Sequence, residues 1–314
     1  MTDMPRNPAE PSRFQRIWES DVMWSFRHSP VAIFSAIVSL VMIFGAILAP
    51  LYAPQDPFNP ASLNLMDGLT PPGKVNEFTG QTFLLGSDSQ GRDMFSAVLY
   101  GTQVSLLVGA ASVLFSAVIG VFLGLMAGYI GGKTEAVIMR VADVQLSFPA
   151  ILIALLIFGV ARGIIPPGQQ EDATLILLIL AIGLSNWAQY ARTVRGSTLV
   201  EKNKEYVQAA RVIGRSPLLI MLKHILPNVM GPVTVIATIN LALAVIEEAT
   251  LSFLGVGMPP TQPSLGTLIR VGQQFLFSGE WWILLFPALT LVILALAINL
   301  LGDWLRDAMN PRLR

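Results

Sequence analysis

The chain has 314 residues and a formal net charge of zero, with 53% hydrophobic and only 13% charged residues. A soluble domain usually carries about 25% charged residues, so this composition favours a membrane protein over a soluble domain. The absence of cysteine excludes a disulfide framework, a thiolate metal site and a cysteine nucleophile.

Six apolar blocks approach the roughly 20 residues that a helix needs to cross a bilayer. The first block is preceded by a polar stretch and is long enough to span, which indicates an uncleaved anchor and not a cleavable signal peptide. The sequence therefore predicts an all-α polytopic membrane protein with six transmembrane helices. These are approximately Val31 to Tyr52, Val104 to Ile130, Val137 to Val160, Thr174 to Ala191, Val229 to Ile246 and Trp282 to Leu301.

The basic residues are distributed unevenly between the two sides of this predicted bundle. Of 20 Lys and Arg, 16 fall within four segments: 1–30, 131–140, 192–226 and 302–314. The other four are Lys74, Arg92, Arg162 and Arg270. Under the positive-inside rule, both termini and the stretch 205–228 are cytoplasmic, and an even number of spans agrees with this.

The external segment that follows the first span begins with the Pro-rich "APQDPFNP", which cannot continue a helix. Further on, "GSDSQGRDMFSAVLYG" offers Ser87 or Asp88 as an N-cap, followed by apolar residues at helical spacing. We expect a short interfacial helix here that leads into the second span.

The second and third spans carry two further signals. Gly120, Gly124 and Gly128 remove side chains from one face of the second helix, which predicts a close helix contact. The following "GYIGGKT" has Ala127 where a phosphate-binding loop requires its first glycine, so a turn is the better interpretation. Pro149 is expected to kink the third span.

The stretch "EYVQAARVIGRSPLLIMLKHILPN" interrupts the apolar runs with two short helices. The first is predicted from about Glu201 to Ile213, with Gly214 as C-cap. Ser216 and Pro217 then favour the start of a second helix that reaches Pro227, where the fifth span can open.

This pattern predicts a compact helix-turn-helix elbow whose first helix has Tyr206, Ala210 and Ile213 on one face. The small residues Ala209 and Ala210 are expected to let a partner approach closely, so the elbow is interpreted as a docking element. A DNA-binding function is disfavoured because both ends are tethered to the bilayer, which blocks entry into a major groove. A basic amphipathic hairpin lying on anionic lipid remains an alternative.

The elbow sequence and several other segments resemble those of a known protein family. "QAARVIGRSPLLIMLKHILP" is similar to the cytoplasmic EAA loop of permease subunits in bacterial ABC importers, with Gln208 for Glu and His224 for Ile. "LGSDSQGRDMFSAVLYGTQVSLLVG", "EEATLSFLGVGMPP" and "FPALTLVILALAINLLGDWLRDAMNP" resemble the second permease subunit of dipeptide and oligopeptide importers, a group that also includes nickel importers. The resemblance implies the type I ABC importer permease fold.

The resemblance also implies an organisation of the chain. It comprises a cytoplasmic segment (1–30), a first transmembrane helix (31–52), an external loop (53–103), a five-helix permease core (104–302) and a cytoplasmic tail (303–314). The core contains a coupling elbow at 195–227, whose two helices occupy 201–227. The implied ATPase-coupling residues are Gln208, Ala209, Ala210, Arg211, Gly214, His224, Leu226 and Pro227.

The implied partners are a homologous second permease in a heterodimer, two ATPase subunits, an external solute-binding protein and membrane lipid, with no nucleic acid. This chain would bind no cofactor, because ATP and magnesium belong to the partner ATPases. The implied function is to form half of a translocation path for peptides or a related small solute.

Polar residues inside the spans are the candidates for the path or its gate. Asn240 lies mid-span, and Asn186 and Gln189 lie nearer the cytoplasmic end of the fourth span; interhelical hydrogen bonding is their alternative role. Glu247 and Glu248 are expected at the external end of the fifth span, with Glu248 facing the subunit interface or outer gate.

Two other functional classes fit less well. An intramembrane enzyme is disfavoured because the sequence contains neither HExxH nor Gly-x-Ser-x-Gly. A secondary transporter could bind protons at Glu247 and Glu248, but coupling carboxylates usually lie near the midplane, and such a transporter has no use for an ATPase-docking elbow.

Overall fold

The computed structural model describes residues 21–309, and its regular structure in that range is helical apart from two isolated β-bridges. Twelve α-helices are numbered here in chain order within the described residues. They are α1 Asp21–His28, α2 Pro30–Ile47, α3 Ala49–Tyr52, α4 Met94–Ile130, α5 Gly132–Leu146, α6 Ala150–Ile164, α7 Gln170–Glu201, α8 Glu205–Val212, α9 Pro217–Ile220, α10 Leu226–Phe253, α11 Leu265–Gln273 and α12 Trp282–Ala308. The all-α membrane fold predicted from the sequence is confirmed.

Within residues 21–309, five helical segments are long and apolar enough to cross a membrane. They are Pro30–Ile47, Met94–Ile130, Pro167–Glu201, Pro217–Phe253 and Trp282–Ala308. A sixth crossing would require α5 and α6 together, which are bent by 98° relative to each other. The predicted third span, Val137 to Val160 with a kink at Pro149, is therefore present only as a broken pair of helices, because the kink at Pro149 is a full break between α5 and α6.

The second span also begins earlier than predicted. Asp88 is occupied in a tight turn, where its Oδ1 accepts the backbone N–H groups of Gln90 and Arg92. Asp93 instead accepts the backbone N–H of Ser96 at 2.8 Å and caps α4, which then runs without interruption for 37 residues. The separate interfacial helix and its cap at Ser87 or Asp88 are thus wrong.

The centre of the bundle is the packing of α4 against α7. A Cβ atom added to Gly120 would lie 2.4 Å from Tyr190 Cβ, and one added to Gly124 would lie 2.6 Å from the Ala191 carbonyl oxygen. One added to Gly128 would lie 2.6 Å from Thr198 Cβ, so all three glycines face α7. The predicted glycine packing face is confirmed, and it lets the two backbones approach as small residues do in membrane bundles.

The remaining helices surround this pair. α10 packs on both α4 and α7, while α11, α12 and α2 cover the bundle beside α10 and α4. α6 packs on α7 through buried Phe158 and Ala154. We call the end of the bundle that carries residues 53–93 and 254–264 the loop end, and the opposite end, with residues 201–227, the elbow end.

Residues 53–93 form a folded lobe rather than an extended loop. Arg92 donates from Nε to Asp88 at 2.7 Å, and from a terminal nitrogen to the carbonyl of Pro260 at 2.9 Å. Trp282 at the start of α12 donates to the carbonyl of Ser87 at 3.0 Å. The side chains of Arg92 and Asp88 are both buried, so these bonds hold the lobe against two other parts of the loop end.

Candidate functional site

The elbow, residues 201–227, consists of two helices that turn at a glycine. α8 ends at Val212, and Gly214 follows with φ +79°, a conformation that favours glycine. Ser216 then caps α9 by accepting the N–H of Leu219 at 3.4 Å, and Pro217 opens the helix. The cap residues predicted from the sequence are in the expected places, although α8 begins at Glu205 and not at Glu201.

The second elbow helix is continuous with the fifth span. Residues Met221–Ile225 form a π-helical turn between α9 and α10, in which the N–H of Leu226 donates to the carbonyl of Met221. Pro227 is the second residue of α10, so its missing N–H lies at the junction with the π-helical turn. As a result, one rod runs from Pro217 to Phe253, from the elbow into the loop-end half of the bundle.

One face of the elbow packs on the bundle. Val207, Ala210, Ile220 and Ile225 are buried in a cluster that also contains Tyr190 of α7 and residues of α4 and α10. The Tyr206 hydroxyl donates to the Glu201 carboxylate at 2.5 Å and accepts from Asn228 at 3.1 Å, which joins α8 to the ends of α7 and α10. The elbow is therefore attached to the spans through both of its helices.

The opposite face is an apolar tip. Val212 is 87% exposed and Ile213 is 76% exposed. Leu218 and Leu222 from the second helix are also exposed, at 60% and 50%. Four exposed aliphatic side chains around one turn form a surface of the kind that a protein partner covers.

The predicted coupling residues divide between these two faces. Gln208, Ala209, Arg211, Gly214 and Pro227 are exposed, whereas Ala210 is buried and His224 and Leu226 are half-buried. The expectation that Ala209 and Ala210 both allow close approach of a partner is wrong for Ala210, because this residue packs inside the chain. The coupling role of the whole set stays a prediction.

The sequence interpretation did not include Val212, Leu218 and Leu222 in the docking face. All three are aliphatic residues that flank the turn "GRSP" within a basic stretch. That combination could have indicated a docking surface, because an apolar residue beside a polar turn outside a span stays exposed unless a partner covers it.

The two adjacent carboxylates of α10 have different surroundings. Glu248 is fully buried; its Oε2 accepts from the Ser105 hydroxyl at 2.6 Å and its Oε1 from the Ser252 hydroxyl at 2.7 Å. The same two serine oxygens accept the backbone N–H groups of Leu265 and Met258, so each hydroxyl proton is directed to the carboxyl group. The geometry disagrees with the expectation that Glu248 faces a subunit interface.

Glu247, which the sequence interpretation placed beside the gate, is half-buried and contacts α7. Its Oε2 accepts from Asn186 Nδ2 at 2.9 Å. This contact places Asn186 and Glu247 at the same depth in the membrane. Asn186 was predicted nearer the cytoplasmic end and Glu247 at the external end, so at least one of these two predictions is wrong. A path or gate role for Asn186, Glu248 and Asn240 stays a prediction.

Asn240 lies at the same α7–α10 interface, nearer the elbow end. It is 5% exposed and lies beside the buried Tyr190 hydroxyl. Within the described part of the chain, neither the Tyr190 hydroxyl nor the Asn240 amide nitrogen makes a hydrogen bond of normal geometry. Two unpaired polar atoms are costly in a buried helix interface, and ordered water is the usual compensation.

Comparison with known proteins identifies the family. Residues 120–314 match the binding-protein-dependent transport system inner membrane component, and residues 16–72 match the N-terminal TM domain of oligopeptide transport permease C. The chain is 36% identical over 304 residues to the di/tripeptide transport system permease protein DppC of Pseudomonas aeruginosa, covering 97% of this chain and 94% of the relative. It is 33% identical to the oligopeptide transport system permease protein OppC of Bacillus subtilis, covering 100% of both.

A solved structure supports the fold. The MetNI methionine ABC transporter in an inward-facing conformation aligns with a TM-score of 0.54 and 23% identity, covering 69% of this chain and 97% of that chain. The curated relatives are bacterial transport permeases, and the helices of this chain are apolar enough to cross a membrane several times. The protein therefore belongs to the C-type permeases of binding-protein-dependent peptide importers, which are multi-pass proteins of the bacterial inner membrane.

Proposed function

We propose that this chain forms half of the translocation path of an ATP-driven importer for peptides. Its partners are a different, homologous permease, two cytoplasmic ATPase subunits that bind ATP and magnesium, and an external binding protein that delivers the solute. The chain itself binds no cofactor and hydrolyses nothing. The names of its curated relatives, which refer to dipeptide, tripeptide and oligopeptide transport, support the solute class.

The observation that carries this proposal is the apolar tip of the elbow on a continuous rod. Val212, Ile213, Leu218 and Leu222 insert into a cleft on one ATPase. Because the helix from Pro217 continues to Phe253 without a break, displacement of the tip moves the attached spans as one body. Closure of the ATPase dimer on nucleotide then switches the path from inward-open to outward-open.

The elbow end must be cytoplasmic for this mechanism, and the loop-end lobe must face the binding protein. The basic residues support this orientation, because Arg211, Arg215 and Lys223 lie on the exposed part of the elbow. An amphipathic hairpin on lipid would use the same charges, but its apolar residues would face the bilayer, whereas Val212 and Ile213 lie exposed at the turn between the two elbow helices.

Ile213→Asp tests the docking step. Full burial of an isoleucine side chain contributes about 1.5–3 kcal/mol, and every 1.4 kcal/mol corresponds to a tenfold change in affinity. We expect at least a tenfold loss of ATPase copurification and of ATP hydrolysis stimulated by the loaded binding protein. Ile213 is exposed in the chain, so the permease itself should still insert and fold.

Ile213→Val is the matched control, because it keeps an apolar β-branched residue and should retain assembly. Gly214→Trp is less informative: its Cβ would meet no described atom within 4 Å, but the positive φ strains any side chain there. Normal ATPase copurification with Ile213→Asp would show that the tip is not the docking surface, and the lipid-bound hairpin would become the better interpretation.

A further inference from the structure

Glu247 has an unused acceptor on an accessible side of the helix. Its Oε2 accepts a hydrogen bond from Asn186 Nδ2, whereas no described group donates a hydrogen bond to its Oε1. Asn186 Nδ2 also donates to the Ile182 carbonyl at 3.0 Å, which fixes the amide orientation and leaves Oδ1 as a second free acceptor. Both residues are half-buried, in contrast to the enclosed Glu248.

The depth of this pair places it within the membrane thickness. On α7, Asn186 lies between two charged residues, 14 positions after Asp172 and six before Arg192. At 1.5 Å per residue these separations are about 21 Å and 9 Å, which together match the roughly 30 Å of a bilayer core. A carboxyl group at this depth does not face lipid; it faces protein or a water-filled cavity.

The chain supplies polar neighbours but no cation for this carboxyl group. Gln189 is exposed one turn after Asn186, and the buried polar atoms of Tyr190 and Asn240 lie nearer the elbow end. The next basic residues on α7 are engaged elsewhere: Arg192 pairs with Asp143, and Arg195 pairs with Glu135, both on α5. Among residues 21–309, no salt bridge to Glu247 is formed.

We propose that Glu247 and Asn186 form a subsite of the translocation path that takes a cationic group of the solute, such as the ammonium group of a peptide. An ammonium has three donors and no acceptor, so the free Glu247 Oε1 and Asn186 Oδ1 complement it. This inference rests on the proposed function for the existence of a path. It reverses the earlier expectation about the carboxylates: Glu247 serves the solute, and Glu248 serves the structure.

A single cysteine provides a test that does not depend on transport. Gln189→Cys places a thiol one turn from Asn186 in a chain that has no other cysteine. In the assembled complex, its rates of modification are measured with a cationic reagent, trimethylammonioethyl methanethiosulfonate, and an anionic one, sulfonatoethyl methanethiosulfonate. The other subunits must be made cysteine-free as well.

We expect the ratio of the cationic to the anionic rate to fall about tenfold when Glu247→Gln is added, because one negative charge within about 10 Å is removed. Glu171→Gln is the matched control. It removes an exposed charge from the same helix 18 residues away, at about 27 Å, and should leave the ratio unchanged. An unchanged ratio with Glu247→Gln, or no reaction with either reagent, would overturn the subsite.

Transport separates this inference from the proposed function. With the complex reconstituted in vesicles with its binding protein, Glu247→Gln should slow uptake of a dipeptide about tenfold, and Glu247→Asp should retain most of it. If the parent complex transports normally and Glu247→Gln is equally fast, the subsite is wrong while the permease function stands. If the parent complex shows no stimulated ATP hydrolysis, the proposed function fails, and the labelling ratio still decides whether a cation site exists.

Discussion

The buried carboxyl group of Glu248 provides the sharpest test of the packing at the loop end. It accepts from a serine of α4 and from a serine of its own helix, and these serines in turn hold the N–H groups of Leu265 and Met258. Glu248→Gln keeps one acceptor oxygen but presents an NH₂ group to the other serine. We expect this change to destabilise the chain by about 2 kcal/mol, within the range for leaving a buried donor or acceptor without its partner.

The assay is the midpoint of thermal unfolding of the purified complex in detergent, followed by tryptophan fluorescence. For a chain of this size, 1 kcal/mol shifts the midpoint by about 2–4 °C, so Glu248→Gln should lower it by about 4–8 °C. Glu171→Gln, which changes an exposed carboxyl group on α7, serves as the control and should leave the midpoint unchanged within error.

A double-mutant cycle with Ser105→Ala makes the reasoning refutable. Each single change should lower the free energy of unfolding by about 2 kcal/mol, but the loss in the double mutant should be about 1 kcal/mol smaller than the sum. In the double mutant, the NH₂ group of the glutamine can turn toward the methyl group that replaces the Ser105 hydroxyl, so the glutamine oxygen keeps its bond to Ser252. Additive losses, or a neutral Glu248→Gln, would show that the serines do not share this carboxyl group. The same change should also weaken coupling between the loaded binding protein and ATP hydrolysis, because α11 is held to α4 through Ser105.

Two further predictions concern orientation and helix packing. Single cysteines at Ser62 and Gln262, both exposed at the loop end, should react with an impermeant thiol reagent added outside sealed cells, whereas one at Val212 should not; labelling of the Val212 position alone would invert the orientation. Gly124→Leu should abolish accumulation of folded permease, because its Cβ alone would lie 2.8 Å from Val194 Cβ and overpacking costs about 1–3 kcal/mol or more. Gly159→Leu on α6, where no described atom lies within 4 Å of the added Cβ, should accumulate normally.

The elements that follow from local chemistry could be predicted from the sequence. The glycine face of α4 needs only a four-residue repeat, and the elbow turn needs only Gly214, Ser216 and Pro217, whose backbone preferences are strong. The start of α4 could not be predicted in the same way. Ser87, Asp88 and Asp93 are all suitable N-caps, and the choice depends on tertiary contacts, since Asp88 is held by Arg92.

The positions of the polar residues along the membrane were the least predictable part. Counting from the ends of the apolar blocks placed Asn186 and Glu247 on opposite sides, yet their side chains are 2.9 Å apart. A block boundary gives the position of a residue along its own helix, but the relative shift of two helices depends on how they pack. For the same reason, the angle of about 100° between successive residues of a helix indicates that the side chains of Glu247 and Glu248 point in different directions, but it does not indicate which of them is enclosed.

The π-helical turn at Met221–Ile225 joins the second elbow helix to the fifth span. A π-helical turn contains one residue more than the equivalent α-helical turn, so this segment accommodates an insertion without breaking the helix. Deletion of one residue there would restore regular α-helix with the elbow in nearly its present direction, whereas deletion of one residue from the regular part of α10 would rotate the elbow by about 100° about the helix axis and draw it in by about 1.5 Å. The number of residues in the regular helical parts of the rod is thus as important as their identity. A chimaera that exchanges elbows between relatives should therefore keep this length.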